Sequence, residues 1–123
     1  MSLLDNLMRQ KADARRAELH KSLLHRHAKL GGQLFGPIPV GNRREFFCLD
    51  EHTWVWHEEW TDQQTRQRHA VTTRYDVRPN GVLKSQGNNS YQQLSVGEAQ
   101  NLRTAVRRYH ELVSADLQQQ MAA

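Results

Sequence analysis

Cysteine, proline and long apolar runs are what this chain has least of. One of its 123 residues is cysteine, Cys48, so no internal disulfide can form. A lone thiol fits a reducing compartment, and a cytoplasmic protein is expected. No stretch approaches the roughly 18 apolar residues of a membrane span, and the first residues lack a basic segment followed by an apolar one. Neither a membrane span nor a secretion signal is expected. The three prolines, Pro37, Pro39 and Pro79, all lie outside residues 3–30, which also lack glycine. There is no phosphate-binding loop, no dinucleotide fingerprint and no GxSxG elbow.

Groups that could carry chemistry are few. Cys48, His52, His57, Glu58 and His69 are the metal-capable residues of the central region, and their spacing fits no zinc template. His20, His25 and His27 form no i, i+4 pair and are expected to face solvent. Cys48 and His57 could in principle form a thiolate pair. No glycine-rich oxyanion turn and no orienting carboxylate accompany them, so Cys48 reads as a structural residue. Glu58 and Glu59 fall on opposite faces of a strand and cannot share a proton there. No catalytic residue, metal or cofactor is expected.

What the chain does have is tryptophan in one place. All three lie in Thr53-Trp54-Val55-Trp56-His57-Glu58-Glu59-Trp60-Thr61, and with a strand's period of two Trp54, Trp56 and Trp60 share a face. Such a strand is buried or stacks on a ligand. Glu45, Asp50, Glu51, Glu58, Glu59 and Asp62 crowd the same region and would repel a nucleic-acid backbone, so the rings read as core.

At 123 residues the chain is one domain by length. Residues 1–32 read as a basic helix, rich in strong helix formers and stopped by Gly31-Gly32. Residues 33–42 read as an extended linker with two prolines and two glycines. Residues 43–123 read as a globular unit. Arg43–Asp50 is a first strand, and a two-residue turn at Glu51-His52 would place Leu49 opposite Trp54 and Phe47 opposite Trp56. Both faces of that hairpin would then be apolar, so a cover is expected on each. Asp62–Gln67 is a polar loop. Residues 68–78 alternate cleanly, with Val71, Thr73, Tyr75 and Val77 inward. Pro79-Asn80-Gly81 signals a three-residue hairpin loop that sets Leu83 opposite Val77 on the inner face of a fourth strand. Ser95-Val96-Gly97-Glu98 is a capping box, and Ala99, Leu102, Val106, Tyr109, Val113 and Leu117 form one face of the helix after it. The tail after residue 117 is expected to fray.

The expected fold is α+β: a long N-terminal helix, a four-stranded antiparallel meander and a C-terminal amphipathic helix on one sheet face. The expected core holds Phe47, Leu49, Trp54, Trp56, Trp60, Tyr75, Leu102, Val106 and Tyr109.

The net charge of +4 resides wholly in residues 1–30, where seven Lys/Arg face three Asp/Glu. Between Arg9 and Glu18 the only apolar side chains in that helix are alanines, too thin a face to anchor it. Its first half is therefore expected to pack weakly or to dock on another subunit. Together these features point to a non-catalytic interaction or assembly module, a homodimer or a complex with another protein, contacting its partner through Leu4, Met8, Leu19, Leu23, Leu34 and Phe35. The alternative is a nucleic-acid binder using Arg9, Lys11, Arg15, Arg16, Lys21, Arg26 and Lys29. An enzyme built on Cys48 and His57 is a remote third.

Overall fold

A computed structural model describes residues 2–87 and 90–122. Asn88 and Asn89, read above as part of the turn closing the fourth strand, lie outside the described residues, as does Ala123 of the tail. Helix α1 spans Leu3–Gly32 and a 3-10 turn spans Gln33–Phe35. Strands β1 (Arg43–Asp50), β2 (Thr53–Thr61), β3 (Arg68–Arg78), β4 (Gly81–Gln86) and β5 (Gln92–Gln93) follow, then helix α2 (Val96–Ala122). The strands pair antiparallel in chain order, so the α+β meander has five strands where four were expected. The fifth is two glutamines, with no alternation to betray it.

Helix α1 begins at Ser2, whose Oγ accepts the Asp5 amide at 3.2 Å. Its other end falls at Gly32, where the expected boundary lay, but both glycines are inside the helix rather than capping it, and the 3-10 turn carries the chain on to Gly36 (φ +106°) before Pro37. The two glycines serve contact, not termination. A Cβ on Gly31 would lie 2.1 Å from the Phe46 carbonyl oxygen, and one on Gly32 would lie 2.1 Å from that of Arg44. The last turn of α1 thus rests backbone to backbone on β1, the edge strand, and blunts that edge.

The β1–β2 register also departs from expectation. A bulge between Cys48 and Asp50 leaves Leu49 unpaired, so Phe46 faces Trp56 and Cys48 faces Trp54. That single extra residue turns β1 over. Phe46 and Cys48 join Trp54, Trp56, Thr73, Tyr75 and Val77 on the inner face, while Phe47 and Leu49 go to the other; Leu49 is 56% exposed. Likewise the β3–β4 loop is two residues, not three: Arg78 pairs with Gly81 and Val77 with Val82, so Val82 rather than Leu83 faces inward.

Helix α2 is capped by Ser95, whose Oγ accepts the Glu98 amide at 3.2 Å, and continues to Ala122 beyond the expected frayed end. It crosses the inner face and buries Leu102, Ala105 and Tyr109 against Phe46 and Trp54. Phe46 and Trp54 stack at 5.2 Å, and Tyr109 meets both edge-on at 6.0 and 5.1 Å. Burial, with a smaller push from a Cys48 thiolate, drives the Tyr109 phenol up to about 12. Leu34 and Phe35, expected at a partner contact, instead close one margin of this core. On the second face no helix lies across the sheet; Glu45, Thr53 and Val55 are nonetheless buried and Phe47 half-buried, while Leu49, Ala70, Thr72 and Arg74 are exposed.

Gly31→Ala and Gly32→Ala should each destabilise the protein by about 1–3 kcal/mol through overpacking. Helix propensity alone would add about 1 kcal/mol of stability at each. Gly97→Ala, where a Cβ meets nothing within 4 Å, should instead stabilise by about 0.5 kcal/mol. Chemical denaturation of the three variants reads the sign directly; a Gly31→Ala protein as stable as the parent contradicts the close approach.

Candidate interaction surfaces

Helix α1 has two parts. Its last turns are built into the body: Ala28, Gly31 and Gly32 are buried, and so is His27, contrary to its expected exposure. From Ser2 to Ser22 every residue is exposed. Leu4, Met8 and Leu19 are 65%, 63% and 63% accessible; Leu23, at the junction, is half-buried. At 100° per residue, Leu4, Met8, Lys11, Arg15 and Leu19 fall within an arc of about 80°, an apolar stripe with two cations in its middle. Leu34 and Phe35 do not share this surface, because they pack beside Trp56 and Phe46. Arg9, Lys11, Arg15, Arg16 and Lys21 are exposed along the free part and Lys29 beyond it. Arg26 stands apart, because it is held.

Its holder is Asp116, a residue the sequence reading passed over. Arg26 Nε donates to Oδ2 at 2.9 Å and Nη2 to Oδ1 at 2.7 Å, a forked pair joining the two helices. His27 Nε2 stands 3.4 Å from Oδ2. Asp116 itself is buried, whereas Leu117, expected on the packed face, is exposed. The signal was there: Leu102, Tyr109 and Asp116 follow one another at seven-residue steps, which keeps all three on one side of α2. The Arg26 hydrogen bonds, then its charge, hold the Asp116 carboxyl below the usual carboxylate range.

The open sheet face carries a second network. His57 lies 2.9 Å from Glu59 through Nε2 and 2.7 Å from the Thr72 hydroxyl through Nδ1. A carboxylate only accepts, so Nε2 carries the proton and Thr72 donates to Nδ1 in the neutral ring. Arg43 and Arg68 approach Glu59 at 3.5 and 3.7 Å, and Arg43 Nε donates to Glu45 at 2.6 Å. The His57 hydrogen bond, aided by the arginines, holds the Glu59 carboxyl below its ordinary range. A carboxylate so surrounded is a poor proton acceptor and a good fastener. On β3 and its end, Arg78 pairs with Asp76 at 2.9 Å.

The corrected register separates the remaining candidates. Cys48, a free thiol, lies on the inner face and His57 on the outer, so they cannot act together. Among the described residues no group of three or more His, Cys, Asp or Glu could hold a metal ion. Nor is any helix among them long and apolar enough to cross a membrane. Of the tryptophans, Trp54 is buried. Trp56 is half-buried with the Arg44 guanidinium 5.5 Å from its ring, and Trp60 is half-buried and stacked on His69. Tyr75 and Val106 are half-buried beside the core. No family model, curated protein or solved structure matches this chain.

A depressed carboxylate contributes stability above its unfolded value, here 3.8, and loses it as pH falls through the folded value. Asp116→Asn should therefore lower the thermal midpoint at about pH 6 and match the parent at about pH 2. Melting curves across that range check it; a gap that does not change with pH contradicts the pair.

Proposed function

We propose that this protein is a small non-catalytic assembly module that forms a homodimer through the free part of α1. The observation that carries the reading is the complete exposure of residues 2–22 with Leu4, Met8 and Leu19 on one stripe. A lone helix of that length is marginal in water, and nothing in its own chain rewards its leucines for staying exposed. The stripe is self-complementary in one direction. Laid antiparallel, two copies set Leu4 of one against Leu19 of the other and Met8 against the aliphatic stem of Arg15. The interface is then isologous and closes at two copies. The separation of Cys48 from His57 supports a non-catalytic role. The unpaired thiol of Cys48 supports a cytoplasmic setting.

The five exposed cations Arg9, Lys11, Arg15, Arg16 and Lys21 favour a second reading, nucleic-acid binding along the same helix. Salt separates the two. Each free helix carries more Lys/Arg than Asp/Glu, so screening should strengthen the dimer and weaken an oligonucleotide complex.

Light scattering on the full chain should give a dimer whose affinity holds or rises with salt. Replacing Leu4 and Leu19 by serine should weaken it at least about tenfold per leucine with little change in thermal midpoint. A parent protein that stays monomeric at high concentration and high salt sinks the dimer. Oligonucleotide binding that falls steeply with salt would install the second reading.

A further inference from the structure

Helix α2 leaves part of the inner sheet face uncovered at its N-terminal end. There a cavity of about 180 Å³ lies between the 3-10 turn, the sheet and α2. Phe35, Phe46, Trp56 and Tyr75 line it, with Glu98 and Asn101 on the helix side. Phe35 stands nearly perpendicular to Trp56 (85°, centroids 4.2 Å) and to Phe46 (81°, 5.5 Å). Phe46 is a fully buried floor, while Phe35 is 45% exposed at the mouth. Burial keeps the Tyr75 phenol above its ordinary value, so that wall is a neutral ring.

An aromatic-lined cavity with a carboxylate in its wall suits one kind of guest. Ring faces attract positive charge, and a cation wrapped in methyl groups loses little hydration on entering them. The space is below the roughly 300 Å³ at which drug-sized sites begin, and suits a single headgroup. Two of the chain's own cations already use its margins: Arg44 lies 5.5 Å from the Trp56 centroid and Lys84 Nζ lies 3.1 Å from Glu98 Oε2. Neither lines the cavity.

We propose that the cavity bounded by Phe35, Trp56, Tyr75 and Glu98 binds an alkylated ammonium group, as carried by a free quaternary amine or a methylated lysine side chain. Phe35, Trp56 and Tyr75 supply the aromatic walls, Phe46 the floor and Glu98 the counter-charge. Lys84 shares Glu98 with the guest, which limits the affinity of a free headgroup. The site lies on the sheet, away from the free part of α1, so it stands or falls independently of dimerisation.

The test is an NMR titration of the full-length protein with choline, and with 3,3-dimethylbutan-1-ol, its neutral isostere. Choline should shift the Trp56 indole and Phe35 resonances saturably and bind at least about fivefold more tightly than the alcohol. Glu98→Gln should weaken choline several-fold and leave the alcohol unchanged. Phe35→Leu, which keeps apolar bulk but removes a ring face, should weaken choline more than the alcohol. A trimethyl-lysine peptide then distinguishes the sources: tighter binding than choline marks a methylated protein, weaker binding a free amine. Equal affinity for choline and alcohol, no saturable shift at these rings, or choline binding indifferent to both substitutions overturns the proposal.

Discussion

Two glycines pressed against two carbonyls hold this molecule together. Gly31 and Gly32 bring the last turn of α1 onto the β1 backbone at Phe46 and Arg44, closer than any side chain permits. The consequences spread outward. The β1 edge is blunted, the Tyr109 ring of α2 stands where a Cβ on Gly31 would crowd it, and Arg26 and His27 are brought to Asp116. A helix end, a strand edge and a second helix meet at one point, and each needs the others. Two glycines inside a helix cost about 2 kcal/mol in propensity, which backbone-level packing must offset.

The same junction divides the chain into a body and an arm. Up to Ser22 every residue of the arm is exposed; from Leu23 on, one side of the helix joins the core's rim. One continuous helix therefore transmits the body's orientation to whatever the arm meets, with no proline or glycine to act as a hinge before residue 31. Held as helix by a docked partner, such an arm would fix that partner's angle to the sheet. The body keeps its own chemistry: a tied-down ionic face on one side, and on the other an aromatic core that α2 covers only in part.

Much of the fold was legible. The helix formers of residues 3–30, the alternation of residues 68–78 and the capping box at Ser95 each carry a local signal, and each element formed where that signal lay. What escaped was register and purpose. The bulge at Leu49 costs one residue and leaves no mark in composition, yet it moved Phe46 inward, sent Phe47 and Leu49 outward and parted Cys48 from His57. The glycine pair read as a stop because helix ends are where such pairs are common; a close approach to another backbone is not written in neighbouring residues. His27 and Asp116 were missed for a related reason. Their burial depends on two helices separated by the whole sheet in sequence, so neither position announces it alone.

Hydrogen exchange, residue by residue along α1 in a dilute, monomeric sample, tests the account most directly. The account predicts a sharp step: amides from about residue 27 onward protected close to the level of the β2 core, and amides of residues 6–19 exchanging almost as fast as an unfolded peptide. Protection that is uniform along α1, or a glycine-bearing end that exchanges as freely as the arm, would contradict it.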